Sequence, residues 1–516
     1  MTNNSLFAAI KACVNTTRTT NGMTACRSTL SALLDLFMGG ASLRKTPSQV
    51  PQAVRDAYRE DKLGTLRCLF YLRDIRGNGG QGERDVFRAG IRTVAELDTE
   101  LFVRSGVLQH LPFYGRWDDL FCLLGVSREL DAAVFSLVAE QLKADCAALA
   151  GQEEKAEVSL LAKWLPSCNT SSAATRALAK QVYRGLKLSA KEYRQVLAAL
   201  RRRIDVLETR LTRRDYTFRY SAVPSNAGMK YRKAFMRNDG ERYKAYVETL
   251  HKQLCVEKFY MVEEAEEKVN VGTLYPYDIM NKFRERELDA TECLQLDNMW
   301  RSLPDYFGEA AGANWLAVVD VSGSMTWGGT PYPIDVAMSL GLYVAERNTG
   351  IFKDKMITFS AAPQLGEVAP AWPLKQKVEY MLNMDWGMNT NLEAVFRLVL
   401  DAAVKAALPA EQMPQCIVII SDMQFDFCVE GAGNPSAYEM IRRRYAAAGY
   451  AMPRLVFWNV AQRNYGNVPV RYDQQGTMLL GGCKPGMFEQ LLSGQAPEDF
   501  MFSVLNSERC QRITLA

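Results

Sequence analysis

Apolar residues recur at three- and four-residue spacing from about Leu30 to Gln295. LSALLDLF, TLRCLFYLRDI, RDVFRAGIRTVAEL, VFSLVAEQLKADCAALA, EYRQVLAALRRRIDVLE and ERYKAYVETLHKQL each put their apolar side chains on one face of a helix. The connectors RGNGGQGE, LPFYGR, WLPSCNTSS, AVPSNAG and LYPYD are short and punctuated by Gly, Pro or Ser. Serial amphipathic hairpins of this kind bury each unit against its neighbours, as in an irregular helical-repeat solenoid or ring. The pattern changes near Ala310. WLAVVDV, KMITFS, QCIVIISD and RLVFWNV are near-continuous apolar runs. They alternate with the helical patterns IDVAMSLGLYVAERN, LEAVFRLVLDAAVKAA and AYEMIRRRYAAAG. Buried strands separated by helices predict a mostly parallel, doubly wound sheet covered on both faces. The expected organisation is an all-α helical-repeat domain over residues 1–310 and an α/β domain over 311–516, joined by GEAAGAN (Gly308–Asn314).

Composition narrows the function classes only a little. The chain has 516 residues, 48% of them hydrophobic and 23% charged, as in ordinary globular proteins. A net charge of +4 permits an acidic partner without demanding one. The 12 cysteines include no C-x-x-C pair, which argues against zinc ribbons and thioredoxin-like sites. Reduced, mostly buried thiols in a cytoplasmic protein are expected. No segment has the length and charge-free apolarity of a membrane span. With only His110 and His251, His-ligated metals and Ser-His-Asp catalysis are disfavoured, and His110 reads as a packed structural residue.

The most specific motif is D-x-S-x-S at Asp320, Ser322 and Ser324, directly after an apolar strand. Doubly wound sheets bind ligands outside the carboxyl ends of their strands. Asp422 ends a second such strand, and Thr390 stands just before a helix in DWGMNTNL. Three loops would then bring Asp320, Ser322, Ser324, Thr390 and Asp422 to one point. Two carboxylates and three hydroxyls suit Mg²⁺ or Mn²⁺, hard cations that prefer octahedral oxygen and retain water. The alternative is local: Ser322 and Ser324 cap the next turn and Asp422 caps a helix. A metal-dependent phosphotransferase would need a second acid two residues after Asp320, where Ser322 stands. RGNGGQGER is Gly-rich but lacks the Lys-Ser/Thr of a P-loop. It reads as an interhelical turn, with phosphate contact through its amides and Arg76 or Arg84 as the rival reading.

Asp320, Ser322, Ser324, Thr390 and Asp422 resemble the metal-ion-dependent adhesion site of von Willebrand factor A domains. WGMNTN replaces that family's common Gly-Gly-Thr and makes Thr390 the weakest match. Further motifs, among them YLRDIRGNGGQGERDVF, LPFYGRWDDL, AKWLPS, SAVPSNAGMKYRKAF, LYPYDIM, SDMQFD and PRLVFWNV, are similar to an uncharacterised family. It joins a helical domain to a von Willebrand A domain, and the match runs from about Thr20 to Gly482. That family in turn resembles the Ro ribonucleoprotein autoantigens. There a HEAT-like helical ring, the TROVE module, binds structured RNA on its outside and single-stranded ends in its hole. The resemblance implies a Rossmann-like second domain, Mg²⁺ as cofactor and RNA as partner.

The residues add support of their own for RNA. Lys191 to Leu250 holds fifteen Lys/Arg against seven Asp/Glu. Arg201, Arg202, Arg203, Arg213, Arg214, Lys230, Arg232 and Lys233 are interleaved there with Tyr216, Phe218, Tyr220, Tyr231 and Phe235. Guanidinium groups and ring faces pair with phosphates and stack on bases. A solvated helix face with core aromatics gives the same string. Arg73, Arg76, Arg84, Arg116 and Lys163 lie in inter-hairpin motifs and either line an inner rim or bridge helices through Asp74, Asp118 or Asp119. The leading expectation is a non-catalytic RNA-binding protein. Its rivals are a scaffold whose metal takes an acidic partner residue, and a metal-dependent phosphotransferase or nuclease.

Overall fold

The computed structural model describes residues 15–18, 24–77, 80–151, 157–260, 271, 274–285, 287–305, 314–327, 331–359, 362–384, 391–423, 437–461, 476–484 and 496–515. The chain enters through an antiparallel pair, β1 (Thr16–Arg18) and β2 (Thr24–Cys26), ahead of the helical run. Helices then follow at Ala32–Gly39, Val50–Glu60, Lys62–Arg73, Arg84–Leu97, Thr99–Arg104, Val107–Tyr114 and Arg128–Ala150. After the short turn Leu161–Trp164 come Ala173–Gly185, Ala190–Arg203, Leu207–Thr212, Ser225–Asn238, Gly240–Tyr260, Pro276–Glu285 and Ala290–Arg301. Many of these starts are written in the sequence. Ser31, Asp61, Asp98, Ser127 and Ser172 accept the first free amides of their helices. Ser189 with Glu192, and Asp289 with Glu292, form reciprocal capping boxes.

The second half is a mixed six-stranded sheet with helices: β3 (Trp315–Asp320), β4 (Lys355–Phe359), β5 (Leu365–Glu367), β6 (Cys416–Ser421), β7 (Arg454–Asn459) and β8 (Thr477–Gly481), in the order β5-β4-β3-β6-β7-β8. All pairs are parallel except β4 with β5, whose short strand ends one edge. Every residue of β3 and β6 is buried, as expected of strands covered on both faces. The helices Pro333–Arg347, Leu374–Leu382, Leu392–Lys405 and Ala437–Ala447 connect the strands. The exchange of helices for strands falls between Arg301 and Trp315; most of the expected linker lies outside the described residues.

The two halves share one contiguous apolar core, which includes Leu33, Leu72, Ile279, Val319, Ile419 and Ile513. β8 runs so close to the helix Ala32–Gly39 that a Cβ on Gly481 would collide with the Met38 carbonyl. The final helices, Pro497–Leu505 and Glu508–Gln511, pack back on the first helices, with the Phe500 and Phe37 rings 5.7 Å apart. At the other end of the helical run, Arg284 pairs with Asp335 at 2.9 Å, and the Trp300 indole donates to Glu346 at 2.7 Å. The helical run also meets itself: the Tyr275 hydroxyl donates to the Gln81 carbonyl at 2.8 Å. Both ends of the helical array thus dock on the sheet half and on each other. A second small core holds Tyr220, Val223, Phe235, Tyr243 and Val247.

Candidate functional site

The chain leaves β3 toward β4 on one side and reaches β6 on the other, so the order of strands reverses between β3 and β6. Such a switch point opens a crevice at the strands' carboxyl ends. Val319 lies opposite Ile420, which sets Asp320 and Ser421 side by side at the mouth of that crevice. Asp320, Ser322 and Asp422 are all buried.

The carboxylate of Asp320 is held from two sides. The Ser322 amide donates to Oδ1 at 2.9 Å, and the Ser421 hydroxyl donates to Oδ2 at 2.6 Å. Ser421 itself accepts from the Met423 amide at 3.1 Å, across a turn with Met423 at φ 61°. Ser322 Oγ and Ser324 Oγ are 2.9 Å apart. Burial, and next the charge of Asp422, push the Asp320 carboxyl up to about 7; the hydrogen bonds from Ser421 and Ser322 oppose this. Two buried acids that repel each other stand beside two hydroxyls in contact, and oxygens of these kinds are the donors that hard cations prefer. Among the described residues no cluster of three or more His, Cys, Asp and Glu is arranged for a metal. Of the five residues singled out in the sequence, the structure brings Asp320, Ser322, Ser324 and Asp422 to the ends of neighbouring strands; Thr390 lies outside the described residues. Ser421 was not singled out. Its signal was the Ser-Asp pair closing an apolar strand, legible only once β6 is known to neighbour β3.

The thirteen basic candidates separate by burial. Arg73 is 1% exposed, and its Nε donates to the equally buried Asp119 at 2.8 Å. Arg232 is buried and paired with Glu292. Arg201 reaches the carbonyls of Ala162 and Leu165 at 2.8 and 2.7 Å and the Ser167 hydroxyl at 2.8 Å, clasping the turn between two helices. Arg116 stacks 4.2 Å from the Trp164 ring, with Lys163 at 5.6 Å from it. Arg84 pairs with Asp85 on the surface. Arg76, Lys163, Arg202, Arg203, Arg213, Arg214, Lys230 and Lys233 are exposed. The interleaved aromatics behave differently from their cations. Tyr220, Phe235 and Tyr243 are buried, and the Tyr216, Phe218 and Tyr220 rings pack edge-on or tilted against one another and against Phe235. Tyr220, Phe235 and Tyr243 fill the second core, while Tyr216, Phe218 and Tyr231 pack half-buried against it, with the Lys230 ammonium 4.8 Å from the Tyr231 ring.

The Gly-rich turn is a seam. Asp74 Oδ1 accepts the amides of Arg76 and Gly77, each at 2.9 Å, and Lys484 reaches the Gly77 carbonyl at 3.0 Å. Those two amides are therefore turned inward to a carboxylate. His110 sits edge-on between Phe70 and Tyr114, as a packed structural histidine should. Among the described residues no helix is long and apolar enough to cross a membrane.

Residues 125–320 match a domain of unknown function, DUF2828, and residues 314–511 match a second, DUF7788. The chain is 27% identical to "Uncharacterized protein L728" of Acanthamoeba polyphaga mimivirus over 93% of its own length and 85% of the relative's. Among solved structures, the crystal structure of the Deinococcus radiodurans RO (RSR) protein aligns over 90% of this chain and 100% of that one. Sequence identity is 16% and the TM-score is 0.45.

Proposed function

We propose that the chain is a non-catalytic RNA-binding protein of Ro-like architecture, with Mg²⁺ or Mn²⁺ held by its von Willebrand A-like half. The observation that carries the RNA reading is the set of exposed cations Arg202, Arg203, Arg213, Arg214, Lys230 and Lys233 on one stretch of the helical run. With Tyr220 and Phe235 committed to a core and Tyr216, Phe218 and Tyr231 half-buried against it, recognition rests more on phosphate contacts and backbone shape than on ring stacking on bases. Such binding suits structured RNA better than single strands, and its affinity drops steeply with salt. A filter-binding titration tests this; no retention of RNA even at low salt would overturn it.

The cation would be held by Asp320, Ser322, Ser324 and Asp422, with Thr390 as the fifth residue of the motif. It would neutralise the two carboxylates and offer its remaining positions to an acidic ligand. The Asp320–Asp422 pair therefore favours a second reading, a scaffold in which the metal takes an Asp or Glu of a protein partner. Asp320→Ala separates the two: it abolishes partner capture under the scaffold reading and leaves RNA affinity intact under the first. Ser322 at the place of a second acid speaks against phosphoryl transfer. Metal-dependent turnover of RNA, lost in Asp320→Ala, would restore that possibility.

A further inference from the structure

In the helical run, the helix Gly240–Tyr260 carries His251 and Cys255 one turn apart, on the same face. Cys255 Sγ lies 3.6 Å from His251 Nε2. On the opposite side of the ring, His251 Nδ1 lies 2.9 Å from Asn298 Oδ1, on the helix Ala290–Arg301. The Asn298 amide is itself oriented: its Nδ2 donates to the Val247 carbonyl at 2.9 Å, and a backbone carbonyl can only accept. The amide oxygen is thereby turned to the imidazole. Asp297 Oδ2, 3.6 Å from the same Nδ1, adds negative charge on that side. The Asn298 acceptor, beside that charge, puts the ring proton on Nδ1 in the neutral imidazole. Nε2 then presents its lone pair to the thiol.

A nucleophile, a base in contact with it and a third group that orients the base form the general arrangement of an activated side chain. The geometry points to Cys255 as a reactive thiol, with His251 as its base and Asn298 as a positioning residue, whose co-reactant is a small hydroperoxide. His251 takes the thiol proton on Nε2. The thiolate attacks one peroxide oxygen, the S–O bond forms and the O–O bond breaks. Sulfur is oxidised by two electrons to a sulfenic acid, and the leaving group (hydroxide from hydrogen peroxide, alkoxide from an organic hydroperoxide) recovers the proton from the imidazolium and departs as water or alcohol, the reduced product. Access is adequate for a small molecule: Cys255 is half-buried, and the His251 side chain is 28% exposed. The site suits stoichiometric modification rather than hydrolysis. Cys255 lies within a helix whose amides bond along their own helix, and no described group nearby forms an oxyanion hole. The modification has a route to the rest of the molecule. Asp297, next to Asn298, accepts the Leu374 amide of the sheet half at 3.0 Å and pairs with Arg301.

The test treats the full chain, in its reduced form, with less than one equivalent of hydrogen peroxide. Sulfenic acid is trapped with dimedone and the adducts are mapped by mass spectrometry. Cys122, Cys146, Cys168 and Cys293 are also half-buried and serve as internal controls. Cys255 is expected to be labelled first, at least ~10-fold faster than these, and to lose that lead in His251→Gln and in Asn298→Ala. Labelling spread evenly over the half-buried cysteines overturns the proposal without need of any variant. So does a Cys255 rate unchanged by a folded His251→Gln.

Discussion

Arg509 grips both carboxylate oxygens of Asp74, a residue 435 positions earlier, with Nη2 to Oδ1 at 2.8 Å. The same Asp74 carboxylate caps the amides of Arg76 and Gly77, so one acid both seats the Gly-rich turn and anchors the last helix. Tyr114 adds a hydroxyl bond to the Arg509 carbonyl. Arg509→Ala leaves the largely buried Asp74 with its amide partners alone. It should lower stability by about 2 kcal/mol, since a hydrogen-bonded charge loses its partner but Arg509 is a third exposed. Urea unfolding measures this, and the variant should also be cut faster by protease near Gly77. An unchanged midpoint would remove the seam from the account of stability.

The carboxylates at the strand ends predict opposite effects with and without metal. In metal-free protein, Asp320→Asn removes a buried charge that faces Asp422. The new amide can keep both contacts, accepting from the Ser322 amide and donating to Ser421 Oγ. The variant should therefore melt no lower than wild type, and be more stable by about 1 kcal/mol near neutral pH. With Mg²⁺ the order reverses. A hundredfold excess over its Kd should stabilise wild type by about 2.7 kcal/mol, and Asp320→Asn should gain far less. Thermal melts in EDTA and in Mg²⁺ give both numbers. Equal Mg²⁺ shifts in the two proteins would dismiss the cation from this crevice.

Strands β3, β4, β6 and β7 and the long helices were legible because a continuous apolar run or a three-to-four spacing is a local signal. The site was half legible for the same reason. Asp320 and Asp422 announce themselves at strand ends, whereas the role of Ser421 depends on which strand lies beside β3. The seam was not legible. Arg44 with Glu83, Arg284 with Asp335 and Arg509 with Asp74 are paired across different elements, and no local pattern in the sequence joins them. The helices Pro497–Leu505 and Glu508–Gln511 were invisible as a docking element because their partners on the first helices lie about four hundred positions or more away, as with Tyr114 and Arg509 (395 apart) and Arg67 and Asn506 (439 apart). The basic-aromatic stretch left both readings open in the sequence, since core rings and stacking rings have the same spelling.

Asp335 gives the seam a pH dependence of known sign. It is fully buried, and burial pushes its carboxyl up to about 6 although Arg284 opposes the shift. An unfolded aspartate titrates near 3.8. Between these values the folded state holds the proton and the unfolded state does not, so folding is favoured as pH falls. The contribution is complete below the unfolded value and is lost as pH rises through about 6. Relative to Asp335→Asn, the wild-type protein should therefore gain stability as pH is lowered from 7.5 to 4.5 (an arbitrary span of about three units across the shift). Urea midpoints of the two proteins across that range check it. A constant difference would mean that Asp335 stays ionised in the fold.

Burial also sorts the basic residues into those that should and should not touch RNA. Arg201 is a clasp: Arg201→Ala frees three acceptors on the Leu161–Ser167 turn, and should lower stability by about 1–3 kcal/mol while leaving the affinity of the folded fraction unchanged. Arg202 and Arg203 stand beside it in the sequence but are exposed. Arg202→Ala should leave the melt unchanged, and Arg202→Ala with Arg203→Ala should weaken RNA binding of the folded protein. The slope of log affinity against log salt should shrink by about one for each phosphate contact removed. Extending the substitution to Arg213, Arg214, Lys230 and Lys233 should reduce that slope further, each in proportion to the contacts it makes. A pair of adjacent arginines with opposite outcomes is a stringent comparison, because composition and local charge are the same. Loss of binding in Arg201→Ala at full folding, with the double variant unaffected, would place the RNA on the inner turn instead of on this face.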